Sequence, residues 1–220
     1  MADAIRKTVD TFGGLDVVIN NASAISTTDT TSTSMKTYDL MQTINTRGTF
    51  LVSKCAIQHL RKSANPHVLT LSPPLLMHDK WFSRHTPYTI AKYGMSMCTL
   101  GMAAEFAEDG IAFNSLWPRT VIWTAAVNML LGEGGVSMSR KPDIMADAAY
   151  AIITKDSRKF TGNFLIDEVF LREQGVTDFD HYAMVPGSPL MCDGYIPDEV
   201  AEGLIGFSAI TGPSLSKSKL

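Results

Sequence analysis

Residues 67–92 read HVLTLSPPLLMHDKWFSRHTPYTIAK, and this stretch decides the fold class. It opens with a short apolar run that ends in Ser72, and it passes into a helical pattern at about residue 86. Similar apolar runs recur at three other places, 15–20, 111–117 and 164–166. Because short apolar runs alternating with longer helical patterns are typical of βαβ units, the sequence predicts a doubly wound, parallel α/β sheet.

Two long helices are predicted between the strands. The first covers about 35–62 and the second about 86–107, where small side chains such as Gly94 would allow close packing. A shorter helix is predicted at 144–153, before the last strand. Residues 120–143 are first apolar and then glycine-rich, which predicts a flap over a cleft followed by a turn.

The composition excludes several classes of protein. The 45% hydrophobic and 19% charged residues lie near globular averages and so argue against a disordered chain. A net charge of -3 without a Lys/Arg cluster argues against nucleic-acid binding. The longest weakly charged stretch, 110–132, is interrupted by polar residues and proline, so no membrane span is predicted. Cys55, Cys98 and Cys192 are widely spaced and have no nearby His pair, so neither a disulfide framework nor a metal site is predicted.

The last three residues are Ser218, Lys219 and Leu220, and a polar segment precedes them. When it is terminal, this tripeptide is the address that the peroxisomal import receptor reads. The N-terminal residues contain Asp3 and lack the apolar run of a secretory signal. We therefore expect the import receptor to be a partner and the peroxisome to be the location.

Tyr88 and Lys92 form the first candidate constellation. A spacing of four residues places both side chains on one helix face. An ammonium close to a phenol favours the phenolate and lowers the phenol's pKa, so the tyrosine could act as a general acid or base. The alternative is that these are two ordinary exposed helix residues.

Other polar residues lie at strand ends and inside the first long helix. Ser72 ends a strand, where parallel sheets bind ligands, and it could bond a substrate oxygen or form a turn. Asn45 lies mid-helix among apolar residues, where a buried amide needs a partner, which could be a neighbouring strand's backbone. Asn20, Asn21 and Ala22 directly follow the first strand, and they could approach a flat ligand or form a plain turn.

The order of these motifs resembles the short-chain dehydrogenase/reductase family. The resemblance covers approximately residues 4–190 and rests on six segments, NNASAIS, NTRGT, SPPL, YTIAKYGMSM, WPRT and FTGNFLIDE. It implies a Rossmann-type fold. It also implies an oxidoreductase that interconverts a carbonyl and a secondary alcohol, including lipid-like molecules, with NAD or NADP.

The resemblance also implies roles for particular residues. The implied catalytic tetrad is Asn45, Ser72, Tyr88 and Lys92. In that family the tyrosine transfers the hydroxyl proton, the lysine lowers its pKa and holds the nicotinamide ribose, the serine positions the carbonyl, and the asparagine supports a proton relay. Cofactor contacts are implied for a second set, Asn20, Asn21, Ala22, Tyr88, Lys92, Pro118 and Thr120. Arg119 stands where the family usually has glycine.

The 220 residues contain no Gly-rich turn between a strand and a helix, the feature that holds a dinucleotide's pyrophosphate. By the family's strand order, 3-2-1-4-5-6-7, the sheet is expected to be N-terminally incomplete, with an exposed edge at 15–20. We expect residues 1–190 to form the C-terminal part of the dehydrogenase domain and 191–220 to form a tail. The functional expectation is an oxidoreductase of peroxisomal lipid metabolism, impaired when alone by loss of the cofactor cradle. The alternative is a non-catalytic binding or assembly protein that forms a homo-oligomer through the long helices.

Overall fold

The computed structural model describes residues 1–206 and contains a sheet of four parallel strands. The strands are β1 (Val17–Asn20), β2 (His67–Leu71), β3 (Ala112–Trp117) and β4 (Phe164–Ile166), and they lie side by side in that order. The predicted parallel α/β sheet is confirmed, and the sequence placed every strand within two residues of its observed start. β1 is the first strand in this order, so it lies at one edge of the described sheet and pairs with β2 on one side.

Seven α-helices accompany the sheet in the described part of the chain. They are α1 (Ala2–Phe12), α2 (Met35–Met41), α3 (Gly48–Leu60), α4 (Thr86–Glu105), α5 (Ala125–Leu131), α6 (Asp143–Ile153) and α7 (Asp167–Glu173). None of the helices within residues 1–206 combines the length and apolar character needed to cross a membrane.

The helices cover both faces of the sheet. Successive side chains of a strand point to opposite faces, so Val68 packs with residues of α1, α3 and α4, whereas Leu69 packs with residues of α6 and α7. On β3, Phe113 lies on the same face as Val68, and Leu116 lies on the same face as Leu69. A third apolar cluster lies at the carboxyl ends of the strands and includes Tyr88.

The first long helix is interrupted, and the prediction of one regular helix over 35–62 is wrong in that respect. A π-helical segment, Gln42–Arg47, joins α2 to α3. Its side chains bond to the first turns of α4: the Gln42 side-chain amide donates to the Pro87 carbonyl over 3.3 Å, and the Thr46 hydroxyl donates to the Ala91 carbonyl over 3.0 Å. The segment therefore fixes the start of α4, and π-bulges of this kind are frequent at functional sites.

Gly94 on α4 makes the close contact with the π-helical segment possible. A Cβ atom at this position would lie 2.6 Å from Cγ2 of Thr46, well inside van der Waals contact. We expect Gly94→Ala to lower the free energy of unfolding by about 1–3 kcal/mol, because overpacking forces side chains and backbone to shift. Urea denaturation measures the change.

Gly101 is a matched control on the same helix, because a Cβ atom there would meet nothing within 4 Å. Gly101→Ala is expected to leave stability unchanged or to raise it by up to about 1 kcal/mol, since alanine is the better helix former. Equal effects of the two substitutions would contradict the assigned contact between Gly94 and Thr46.

The predicted flap, 120–143, contains more regular structure than its composition indicated. It holds α5 and a 3-10 helix, Glu133–Met138, so the glycine-rich stretch is not a plain loop. The hydroxyl of Thr124 caps α5 by accepting from the Val127 N–H, which explains why a helix starts there.

Candidate active site

The carboxyl ends of the four strands meet at one edge of the sheet. Asn20 ends β1, Ser72 follows β2, Pro118 follows β3 and Asp167 follows β4. Parallel sheets bind ligands at this edge. The polar residues predicted from separate motifs are thus brought to the same edge.

Ser72 is wholly buried, and its hydroxyl has no hydrogen-bond partner among the described residues. Its backbone is held on both sides: Lys92 Nζ donates to the Leu71 carbonyl over 2.8 Å, and Ser96 Oγ donates to the Pro73 carbonyl over 2.6 Å. The Ser115 hydroxyl donates to the carbonyl of Ser72 itself over 2.7 Å. A buried hydroxyl without a partner is costly, so Ser72 is suited to bind an oxygen that a ligand brings.

Tyr88 and Lys92 lie one turn apart on α4, and both are buried. The reading of the pair as exposed helix residues is therefore wrong. The Lys92 ammonium lies 5.0 Å from the centre of the Trp117 ring, in addition to its bond to Leu71. The Tyr88 hydroxyl forms no hydrogen bond within residues 1–206, so it is available to a ligand.

The electrostatics of the pair differ from the expectation that Lys92 lowers the pKa of Tyr88. Burial raises the pKa of Tyr88 well above its usual value, and Tyr195 and Asp193 raise it further. Burial also lowers the pKa of Lys92 to about 8, although Asp193 opposes this shift. The predicted direction is wrong because burial disfavours the charged phenolate.

Asn45 is buried in the π-helical segment, and both ends of its amide are used. Its Oδ1 accepts from the Ala24 N–H over 2.8 Å, and its Nδ2 donates to the Ala24 carbonyl over 3.0 Å. The side chain therefore holds the loop after β1 in place. This is similar to the alternative stated above, in which the amide bonds to the backbone of a neighbouring strand. Its participation in a proton relay stays a prediction.

The three residues predicted to contact a cofactor at the end of β1 differ in their surroundings. The Asn20 side chain is buried and donates to Ser53 Oγ over 3.2 Å and to Thr70 Oγ1 over 3.4 Å, which ties β1 to α3 and β2. Asn21 and Ala22 are exposed beyond the strand. The side chain of Asn20 thus has a structural role, and the cofactor contacts of this segment stay predictions.

The segment after β3 holds the other predicted cofactor residues. Pro118 is half-buried, and Thr120 is buried with a hydroxyl that has no partner among the described residues. All three nitrogens of the Arg119 guanidinium have protein partners: Nε donates to the Val200 carbonyl over 2.8 Å, and the terminal nitrogens donate to the Glu202 carbonyl over 2.9 Å and to Glu168 over 3.0 Å. Thr120, like Ser72, therefore offers an unpaired buried hydroxyl at this edge.

Residues 190–206, which we call the strap, cross the same edge. The Trp117 indole N–H donates to the Gly194 carbonyl over 2.7 Å, and the Asp193 N–H donates to the Arg119 carbonyl over 3.0 Å. Cys192, Tyr195 and Ile196 are buried in the cluster that contains Tyr88. The predicted division of the chain at residue 190 stays a prediction, but the described part of the predicted tail packs into the core. Ser218, Lys219 and Leu220 lie outside the described residues.

Tyr195 of the strap packs beside Tyr88 and Trp117. Its ring centre lies 6.5 Å from that of Tyr88 and 5.9 Å from that of Trp117, and its hydroxyl is 2.9 Å from Thr89 Oγ1. Its φ of 64° is in the left-handed region, which a bulky side chain rarely adopts. Such backbone strain persists only where surrounding contacts enforce it, and it is found at functional sites.

Sequence reasoning missed Trp117, Asp167, Asp193 and Tyr195 as site residues. Asp167 could have been found, since a carboxylate directly follows a strand in FLID. It is fully buried, its Oδ1 accepts from the Arg119 N–H over 2.8 Å, and burial raises its pKa to about 6. No pattern marks the strap residues, because their position depends on a long-range contact.

Comparison with known proteins identifies the class of protein to which this fold and this strand-end site belong. The model of a family described as enoyl-(acyl carrier protein) reductase matches residues 1–165. The chain therefore belongs to the short-chain dehydrogenase/reductase family of oxidoreductases.

Among curated proteins, the chain is similar to hydroxysteroid dehydrogenase-like protein 2 of several vertebrates. It is 57% identical to the Xenopus laevis protein over 201 residues, which are 91% of this chain and 48% of that protein. It is 51% identical to the Homo sapiens protein over 219 residues, which are 99% of this chain and 52% of that protein. The chain thus spans about half the length of the curated relatives it matches.

Among solved structures, a short chain dehydrogenase from Mycobacterium thermoresistibile is 48% identical, with a TM-score of 0.85. The match covers 93% of this chain and 73% of that one. ElxO with NADP bound is 25% identical with a TM-score of 0.65, and the match covers 78% of this chain and 73% of that one. The Rossmann-type fold expected from the sequence is confirmed, and the chain is partial relative to these neighbours.

Proposed function

We propose that this chain carries out the reduction of a carbonyl to a secondary alcohol with NADH or NADPH. The observation that carries the proposal is the buried Ser72 hydroxyl, which has no partner among the described residues and is bracketed by contacts from α4, the helix of Tyr88 and Lys92. A substrate carbonyl oxygen would give Ser72 the acceptor that it lacks. Lipid-like ketones are the substrates we favour, because the surrounding cluster is apolar.

The protonation state of Tyr88 in the free protein suits the role of a proton donor. Because burial keeps its pKa well above the usual value, Tyr88 is a neutral phenol at neutral pH. A phenol is ready to donate a proton to the oxygen of a reduced carbonyl, whereas oxidation of an alcohol would need the phenolate. In the free protein, Tyr88 is therefore in the proton-donating form that reduction uses.

The residues present fit the nicotinamide half of a dinucleotide. The dinucleotide supplies the hydride when it is bound. Lys92 would hold the ribose next to the nicotinamide. The Thr120 hydroxyl, which has no partner among the described residues, would bond to a polar group on the nicotinamide ring. The sequence has no Gly-rich turn for the pyrophosphate, so the 220-residue chain on its own would bind the other half weakly.

The purified chain is expected to bind NADH and NADPH with Kd values above about 100 μM. It is also expected to bind reduced nicotinamide mononucleotide within about threefold of NADH, because the adenosine half adds few contacts. Isothermal titration calorimetry measures both values, and reduction of simple ketones is then followed at millimolar dinucleotide. Low-micromolar NADH binding would contradict the weak-binding proposal, and absence of turnover under these conditions would contradict the proposed activity.

A second candidate function is assembly without catalysis. It is favoured by Ile90, Met97 and Leu100, large apolar side chains that remain exposed on α4. Such a surface on a long helix suits a homo-oligomer. The calorimetric titration separates the two candidates, since an assembly protein would bind neither the dinucleotide nor the mononucleotide.

We also propose a peroxisomal location, on the basis of Ser218, Lys219 and Leu220. When these residues end the chain, the import receptor reads them. A fluorescent protein fused to the N-terminus is expected to collect in peroxisomes, and deletion of the three residues is expected to leave it in the cytosol. Microscopy with a peroxisomal marker checks this, and an unchanged distribution after the deletion would contradict it.

A further inference from the structure

The candidate catalytic groups are closed off from solvent. Ser72, Tyr88 and Lys92 are 0%, 9% and 4% exposed. A substrate oxygen has to come within hydrogen-bond distance of the Tyr88 hydroxyl before a proton can pass between them. Some part of the chain must therefore move aside before a ligand can enter, as lids do in many enzymes.

The strap packs directly against the group that a ligand has to reach. The Tyr195 ring is buried, and its centre lies 6.5 Å from that of the Tyr88 ring and 5.9 Å from that of Trp117. Ile196 is buried in the same apolar cluster as Tyr88. Residues 193–196 are thus part of what keeps Tyr88 away from solvent.

Residues 193–204 have the geometry of a loop that can move as one unit. They contain turns and bends but neither helix nor strand, and the chain on their two sides is joined. The Cys192 N–H donates to the Ile205 carbonyl over 2.9 Å, and the Ile205 N–H donates to the Leu190 carbonyl over 2.9 Å. Surface loops of this length with closely spaced ends are frequently functional. The left-handed φ of Tyr195, 64°, is a strain that opening would relieve.

Arg119 holds this loop at both of its ends. Its backbone carbonyl accepts from the Asp193 N–H over 3.0 Å, close to the start of the loop. Its side chain reaches the far part of the loop, where Nε donates to the Val200 carbonyl over 2.8 Å and a terminal nitrogen donates to the Glu202 carbonyl over 2.9 Å. The other terminal nitrogen donates to Glu168 over 3.0 Å. One residue after β3 therefore connects the loop to a carboxylate on α7.

The Glu168 carboxylate fixes the position of the Arg119 guanidinium. Its side chain is 3% exposed, and it also accepts from Arg140 and, over 2.7 Å, from Arg172. A buried carboxylate needs paired charges, and Glu168 keeps two of them when Arg119 is replaced. The bonds of the Arg119 side chain to the loop can thus be removed without leaving Glu168 unpaired.

We propose that residues 193–204 are a lid over the candidate site and that Arg119 is the residue that keeps the lid closed. When the bonds from the Arg119 side chain to Val200 and Glu202 break, Tyr195 leaves its place beside Tyr88 and a ligand can enter. The proposal rests on the proposed function in naming Tyr88 as the group that a ligand must reach.

The experiment measures access to the Tyr88 hydroxyl. The full 220-residue chain is treated with N-acetylimidazole, which acylates accessible tyrosine hydroxyls, and mass spectrometry follows the tryptic peptide 85–92, whose one tyrosine is Tyr88. We expect Arg119→Ala to raise the rate of Tyr88 acylation at least about fivefold, because two hydrogen bonds that keep the loop closed are lost. Tyr150, which is 69% exposed, is the reference in the same sample and is expected to react at an unchanged rate.

Arg172→Ala is the matched control. It removes a guanidinium from the same Glu168 carboxylate, to which Arg172 donates over 2.7 and 3.0 Å. Among the described hydrogen bonds, Arg172 makes none to the strap. This variant is expected to change Tyr88 acylation by less than about twofold. A rise in Arg119→Ala that is no larger than the rise in Arg172→Ala would overturn the proposal.

Hydrogen exchange of the β2 backbone amides distinguishes opening of the lid from loosening of the whole fold. These amides lie in the core of the sheet, so their exchange is expected to stay unchanged when only the lid opens. An equal rise in β2 exchange and in Tyr88 acylation would overturn the proposal.

Arg119→Lys decides the question if Arg119→Ala does not fold. A lysine keeps the positive charge beside Glu168, but its single nitrogen cannot replace the three that bond to Glu168, Val200 and Glu202. Tyr88 acylation faster than in the wild type supports the proposal, and a rate equal to the wild type overturns it. The acylation needs neither dinucleotide nor turnover, so it tests the lid even if the proposed activity fails.

Discussion

Tyr88→Phe is expected to reduce the rate of ketone reduction about a thousandfold. The substitution removes the phenolic proton that would pass to the substrate oxygen, and it leaves the ring against Tyr195 and His85 in place. Because the Tyr88 hydroxyl has no hydrogen-bond partner within residues 1–206, its loss should cost little stability. The measurement is kcat at millimolar NADH or NADPH, with the free energy of unfolding measured in parallel.

Tyr150→Phe is the control, since Tyr150 is exposed on α6, which covers the face of the sheet opposite to the one that α4 covers. It is expected to keep the wild-type rate. A Tyr88→Phe protein that retains more than a tenth of the rate would remove Tyr88 from the proton transfer.

Lys92→Met is expected to abolish turnover and at the same time to raise the free energy of unfolding at pH 7 by about 1–3 kcal/mol. Burial lowers the pKa of Lys92 to about 8 from an ordinary value of 10.5, so the folded protein disfavours the ammonium. A base whose pKa falls on folding costs stability below the folded pKa, and this cost disappears as the pH rises towards 10.5. The loss of the bond to Leu71 offsets part of the gain.

Chemical denaturation at pH 7 and at pH 10 tests this account. The advantage of Lys92→Met over the wild type is expected at pH 7 and should shrink at pH 10, where the unfolded lysine also begins to lose its proton. Lys54→Met, at an exposed position of α3, is expected to give no such pH-dependent gain. Lower stability of Lys92→Met at both pH values would contradict the conclusion that the buried ammonium is a cost retained for function.

The sheet could be predicted because each of its strands is marked by a local sequence pattern. Residues 67–71 are apolar and β-branched in part, and a serine and two prolines end the run. The π-helical segment could not be predicted, because a π-bulge depends on partners elsewhere in the chain. Here those partners are Ala24 for Asn45 and the carbonyl of Ala91 for Thr46.

The features of the candidate site also divide into those that follow from local sequence and those that depend on the rest of the fold. The spacing of Tyr88 and Lys92 and the strand-end position of Ser72 are local properties, so the sequence placed them on one edge. Their protonation states were not predictable, because desolvation depends on how much the fold buries each group. Asp193 and Tyr195 were missed because about a hundred residues separate them from α4, and no motif marks the segment that carries them.

The late position of the strap has a consequence for synthesis of the protein on the ribosome. Lys92 leaves the ribosome 101 residues (193 minus 92) ahead of Asp193, a delay of roughly 5–20 s at ordinary rates of translation. In that interval β1, β2 and α4 are available to assemble, but the strap that packs Tyr195 beside Tyr88 has not yet been made. The sheet is therefore synthesised before the candidate site is complete, and a nascent chain released before residue 193 would contain Tyr88 and Lys92 without the strap residues that pack beside them.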